Sequence, residues 1–184
     1  MRINFYGLKA IYFHEMDRFR RTLGQSLLSP VISTSLYFIV FGSVIGGYVQ
    51  KIDGISYGSY IVPGLLMLTL LTQSISNTSF GIFFPKFNGT IYEILAAPIS
   101  TFEIVLAFVG AGATKTLVVS IVIFITSLFF VDVEVKYPFL MIFLLILVAV
   151  SFALFGFLIG LISSDFEQMS IIPTLFITPM VFLG

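Results

Sequence analysis

Residues 84–103 read FPKFNGTIYEILAAPISTFE, a polar interruption between two long apolar runs that carries its own helix-start signals. Thr90 and Glu93 have the S/T-x-x-E spacing of a capping box, in which each side chain satisfies a free backbone N–H at a helix start. Ser100 and Glu103 repeat that spacing, and Pro85 and Pro98 bracket the first of the two predicted helix starts. The stretch is therefore expected to be a short structured element. A brief helix held between two apolar segments can receive force from a soluble partner, so the next question is whether those segments cross a membrane.

Composition answers it. The 184 residues are 58% hydrophobic and 10% charged, against roughly 25% charged in soluble domains. An integral membrane protein is expected. The 9 basic and 9 acidic residues cancel, which leaves no electrostatic footprint for nucleic acid. Cysteine is absent, so disulfides and thiol chemistry are excluded. Tryptophan is absent too, and any aromatic belt at the membrane surface must come from the 8 Tyr and 22 Phe.

A hydrocarbon core about 30 Å thick needs roughly 20 apolar helical residues at about 1.5 Å each. Runs 31–49, 58–84 and 137–164 are free of charge, and run 104–131 contains one, Lys115. A fifth run begins near Met169 and continues to Gly184 with no polar flank, which leads to the expectation that more chain follows. Arg2, Lys9, Arg18, Arg20, Arg21 and Lys86 fall on one side of this topology, against Lys51 and Lys136 on the other. Short basic loops stay in the cytoplasm, so the N-terminus, segment 84–103 and the turn at 163–170 are expected inside. The outer loops, 50–57 and 132–136, are short.

Residues 1–29 have no small-residue cleavage site and read as an amphipathic interfacial helix, not a signal peptide. Phe5, Leu8, Tyr12, Met16, Phe19, Leu23 and Leu27 recur every three or four positions along one stripe. Arg2, Lys9, Arg20 and Arg21 lie mainly off it, where they can meet lipid phosphates. Ser29 is the predicted N-cap and Pro30 the predicted first residue of span one.

The chain has no phosphate-binding G-x-x-x-x-G-K-[ST] loop and no H-E-x-x-H around its single histidine, His14. No catalytic residue, metal site or bound cofactor is expected. Lys115 is the one ionisable side chain inside the four complete runs. Its expected state is snorkelling or paired, with contact to substrate or lipid as the alternative. Span two carries a polar cluster, Thr72, Gln73, Ser74, Ser76, Asn77, Thr78 and Ser79, that is costly against lipid and is expected at an interface or wetted path. Lys115, Gln73, Ser74 and Asn77 are thus the candidate path residues. Close helix packing is expected at Gly42 and Gly46, at Gly156 and Gly160, and along Ala107, Gly110, Ala111, Gly112 and Ala113.

Taken together, YGLKAIY (6–12), RTLGQSLLSPVISTSLYFIVFG (21–42), SYIVPGLLMLTLLTQSISNTSFGIFFPKFNGTIYEILAAPIS (59–100) and FEQMSIIPTLFITPMVFLG (166–184) resemble the permease subunits of the ABC type-2 exporter family. The resemblance covers essentially the whole chain as one transmembrane domain. It implies an all-α polytopic bundle of six spans, of which five are begun here, with both termini in the cytoplasm of a bacterial plasma membrane. It also implies a paired or homodimeric permease above two ATP-binding subunits that use the ATP and Mg. The family's coupling helix maps to residues 89–98 within the loop 85–103, and residues 1–29 correspond to its connecting helix. On this mapping Thr90 and Glu93 fix the coupling helix, Ile91, Tyr92, Ile94 and Leu95 fill the partner's groove, and Pro98 closes the element. The implied cargo is a lipid-linked glycan, polysaccharide, lipo-oligosaccharide or drug. The residues alone also admit a membrane lipid or glycan transferase, built on Lys115 and the span-two cluster, or a non-catalytic assembly subunit.

Overall fold

The computed structural model describes residues 4–45, 51–52 and 54–183. Gly46, one of the expected packing glycines, lies outside them. In chain order the elements are α1 (Phe5–Arg21), α2 (Leu23–Tyr37), a π-helical segment (Phe38–Ile45), a two-stranded hairpin of β1 (Lys51–Ile52) and β2 (Ile55–Ser56), α3 (Tyr57–Asn88), α4 (Ile91–Ala96), α5 (Thr101–Leu128), α6 (Pro138–Ile162) and α7 (Phe166–Leu183). Segments Leu23–Phe41, Tyr57–Asn88, Thr101–Leu128 and Pro138–Ile162 are long and apolar enough to cross a bilayer. The all-α polytopic bundle is therefore as expected, with the hairpin as its one departure among the described residues.

Two helix boundaries are corrected. Span one does not start at Ser29 and Pro30: α2 begins at Leu23 and runs through Pro30, which is buried inside it. Proline there forfeits one ladder bond and crowds the carbonyl one turn earlier, a cost that neighbouring helices can absorb. The break falls earlier, at Thr22, whose hydroxyl donates to the carbonyls of Arg18 (3.2 Å) and Phe19 (3.3 Å) and so competes with the helical ladder. Pro85 likewise bounds nothing, because α3 continues past it to Asn88. Gly89 stops that helix in the left-handed region (φ 80°), where its N–H donates back to the Lys86 carbonyl.

The third element of the bundle, α3, is its spine. It runs parallel to α6 and antiparallel to α5. Its seam with α6 is backbone on backbone: a Cβ at Gly156 would sit 2.5 Å from the Ile75 carbonyl oxygen, and one at Gly160 would sit 2.5 Å from that of Ser79. Between helices in lipid, such contact supplies the dispersion that a hydrophobic drive cannot. Leu70, Ile82, Phe108, Val109, Ala149, Ala153 and Phe157 fill the space around this seam. Gly156→Leu is expected to destabilise the detergent-solubilised protein by about 1–3 kcal/mol through overpacking, read as a lowered thermal midpoint. Gly64→Leu on α3, where a Cβ meets nothing within 4 Å, should leave that midpoint unchanged.

Beside the first half of α5 runs α1, parallel to it and in constant register. Asn4 meets Glu103, the Tyr12 hydroxyl donates to Thr114 Oγ1 (3.0 Å), Glu15 meets Lys115, and Phe19 clusters with Val119 and Ile123. The expected stripe faces inward along most of its length, with Phe19 buried and Met16, Leu23 and Leu27 packed on the same cluster, but its edges differ from expectation. Phe5 is 69% exposed, whereas Glu15 is only 2% exposed, because Gly81 of α3 leaves room for its carboxylate.

Candidate functional site

One end of the bundle carries an elbow built from α4 and its flanks. Its two predicted capping boxes behave differently. At Ser100 the backbone is extended (φ −75°, ψ 152°), so the Ser100 hydroxyl accepts from the Glu103 N–H (3.3 Å) and Glu103 Oε2 accepts from the Ser100 N–H (2.7 Å). Both halves of that box are present. Thr90 is corrected: it is already helical (φ −66°, ψ −14°), makes no side-chain cap, and turns its hydroxyl back onto the Pro85 carbonyl (3.4 Å). An N-cap needs non-helical backbone. The left-handed turn at Gly89 delivers the chain to Thr90 already inside the helical basin.

The outward and inward faces of α4 separate the expected groove residues. Ile91 and Ile94 turn inward onto the Leu70–Phe157 cluster, and Ile99 joins them there. Tyr92 (73% exposed) and Leu95 (62% exposed) point away from the bundle with Glu93 and Pro98. Phe87 and Phe102, which the sequence did not single out, add exposed rings on either side of the elbow.

Three attachments make the elbow stiff. Glu103 Oε1 accepts from the Asn4 N–H, and Asn4 Nδ2 donates to the Pro98 carbonyl (3.1 Å), so the start of α1 is stapled across the α4–α5 junction. Gly7 of α1 then lies flat against Ile99, whose Cδ1 would sit 2.6 Å from a Cβ at that position. Finally, Lys86 Nζ donates to the carbonyls of Leu161 (2.6 Å) and Ser163 (2.8 Å), which places a cation on the free carbonyls at the C-terminus of α6. The elbow is thereby joined to α1, α5 and α6.

A second polar region lies farther along α1. Lys115 is 3% exposed and is paired: its Nζ donates to Glu15 Oε2 at 2.7 Å, and Arg18 reaches the same oxygen at 2.8 Å. The Arg18 guanidinium also lies 5.3 Å from the centre of the Phe80 ring. Lys115 and Asn77 share a cleft of about 500 Å³ with Arg18 and, from α7, Ser170. Gln73 sits one turn before Asn77, with its Oε1 3.5 Å from Asn77 Nδ2, and is not part of the cleft lining. Ser74 faces the other way, donating at 2.6 Å to the Ala149 carbonyl in the α3–α6 seam. Of the four candidate path residues, Lys115 and Asn77 thus come together and Ser74 is turned from them. The pairing of Glu15 with Lys115 joins positions 100 apart in the chain, and no local spacing signals it.

Bilayer-length helices around a stapled elbow, with an apolar helix face left open, define a multi-pass membrane protein. The model of the ABC-2 type transporter family matches residues 6–184, and the chain belongs to that family. It is 39% identical over 184 residues to the inner membrane transport permease YadH of Escherichia coli strain K12, which covers all of this chain and 72% of that protein. It is 22% identical over 176 residues to nodulation protein J of Azorhizobium caulinodans, covering 95% of this chain and 69% of that one. No solved structure matches it. The protein is therefore an ABC transporter permease subunit, a multi-pass inner-membrane component that works with an ATP-binding subunit.

Proposed function

We propose that this permease is one half of a homodimer that exports a lipid-linked glycan, polysaccharide, lipo-oligosaccharide or drug, driven by ATP hydrolysed in two separate cytoplasmic subunits. ATP and Mg are held by those subunits, and this chain supplies the path and the lever. The N-terminus and the elbow are cytoplasmic, in keeping with the basic residues at that end. The observation that carries this reading is the elbow itself. Tyr92 and Leu95 are large, apolar and exposed on a helix whose opposite face, Ile91 and Ile94, is bedded in the core. A helix face of this kind suits a partner's groove, with the two outward side chains as anchors. Force applied there reaches α5 and α1 through Glu103 and Asn4, and α6 through Lys86.

Because the chain contains no cysteine, Glu93→Cys introduces a unique reporter on the elbow. A membrane-impermeant maleimide should leave this variant unlabelled in intact cells and label it in inverted membrane vesicles. Labelling from outside intact cells would put the elbow beyond reach of any ATP-fuelled partner and overturn the reading. Co-purification of the permease with an ATP-binding-cassette protein tests the partnership directly.

A further inference from the structure

We propose that the cleft between α1, α2, α3, α5 and α7 binds the phosphate of a net-anionic amphiphile at the membrane boundary. The inference rests on the permease reading and goes further, to the chemistry of the group the path receives.

The first observation is a charge imbalance. Glu15 Oε2 is shared by Lys115 and Arg18, so the cluster carries two cations on one carboxylate. Further N–H groups of both cations have no protein acceptor among the described residues. An arginine fork and an ammonium side by side suit the oxygens of a phosphate. Low-dielectric walls strengthen the attraction of the surplus positive charge for an anion.

The second observation is the space. Both cations line the cleft, together with Gln25, Ser76, Asn77 and Ser170. The neutral side chains among these offer hydrogen-bond donors of the kind a headgroup uses. The Phe80 ring beneath Arg18 holds the guanidinium at the cleft.

The third observation is depth. Lys115 is about 20 Å along α5 from its first residue, which would be far inside the hydrocarbon if the whole helix were immersed. Its neighbours on α1 argue against that. Asp17, beside Arg18, and Arg20, two residues on, expose 58% and 76% of their side chains, and Arg21 is also exposed. Exposed charges of this kind are costly against acyl chains. The cluster is accordingly placed toward the elbow's side of the membrane, within reach of lipid phosphates, and the first turns of α5 lie on that side with the elbow.

The test uses the full chain purified in dodecyl maltoside, titrated by calorimetry with dioctanoyl phosphatidylglycerol, dioctanoyl phosphatidylcholine and inorganic phosphate. Phosphatidylglycerol should bind at one site, at least tenfold more tightly than either alternative. Arg18→Gln should weaken it about tenfold, in line with loss of charge-assisted hydrogen bonds. Lys136→Gln, which makes the same change in net charge at an exposed residue outside the cleft, should bind as the unsubstituted protein does. Ser170→Glu alters an exposed residue of the lining and places an anion in the cleft without disturbing packing. It should abolish binding even if Arg18→Gln fails to fold. Equal affinity for the two lipids, or unchanged binding by Ser170→Glu, would overturn the proposal. Phosphate binding as tightly as phosphatidylglycerol would replace the amphiphile by a free anion and overturn it equally. The titration involves neither ATPase nor transport, so its failure leaves the permease reading standing, while loss of the permease reading would appear in the co-purification.

Discussion

Replacing Tyr92 and Leu95 together with Ala is expected to leave the permease folded and inserted while lowering transport-coupled ATP hydrolysis by at least tenfold. The two side chains touch little of their own protein, and surface truncations away from special features usually change stability by within about 0.5 kcal/mol. Anchor residues buried in a partner's pocket commonly cost about 2 kcal/mol or more each on truncation, which is about thirtyfold in affinity per residue. The informative contrast is with Ile91→Ala and Ile94→Ala. These side chains bed α4 on the core cluster, so their loss should lower the thermal midpoint first and coupling second. The measurement is ATPase stimulation in reconstituted vesicles beside thermal unfolding of the same preparations. If the outward pair lowered the midpoint and left stimulation intact, α4 would be a packing element and not the receiver of force.

That contrast also marks how much the chain's letters disclose. Lengths and positions of the bilayer-length helices are legible because an apolar run is a local property, and lipid demands that every backbone group be satisfied within it. Glycines 156 and 160 could be read as a packing surface, but not as facing Ile75 and Ser79, since the partner of such a surface is set by the fold. The two S/T-x-x-E matches were equal on paper. What separates Ser100 from Thr90 is the backbone basin into which the preceding residue delivers each, extended after Ile99 and helical after the left-handed turn of Gly89. Within α4, a helical period over six residues was too short to tell Ile91 and Ile94 from Tyr92 and Leu95. Glu15 was least legible of all. As a charge among Asp17, Arg18, Arg20 and Arg21 it reads as solvent-facing, and only the register of α1 on α5 turns it under Gly81 and onto Lys115.

The largest effect on stability is expected from that carboxylate, and it should be asymmetric. Breaking a buried ion pair leaves an uncompensated charge and typically costs about 3–5 kcal/mol, much more than the pair contributes over an apolar replacement. Glu15→Gln removes the shared anion and leaves Lys115 and Arg18 facing each other with only a neutral amide between them, so it should incur the full loss. Lys115→Met removes one cation of two, and Glu15 keeps Arg18 at 2.8 Å, so the remaining charges still compensate and about 1–2 kcal/mol is expected. The double variant Glu15→Gln/Lys115→Met eliminates the buried pair and fills its place with neutral groups of similar size. It should recover most of the loss seen in Glu15→Gln, giving a large favourable coupling energy in the double-mutant cycle. Thermal unfolding of the four proteins in one detergent, with the monodisperse fraction recorded for each, measures all three differences. Equal losses in the two single variants would mean that Arg18 does not share the carboxylate. Additive losses in the double variant would mean that Glu15 and Lys115 act separately and that α1 is held to α5 by its other contacts, Asn4 on Glu103 and Tyr12 on Thr114.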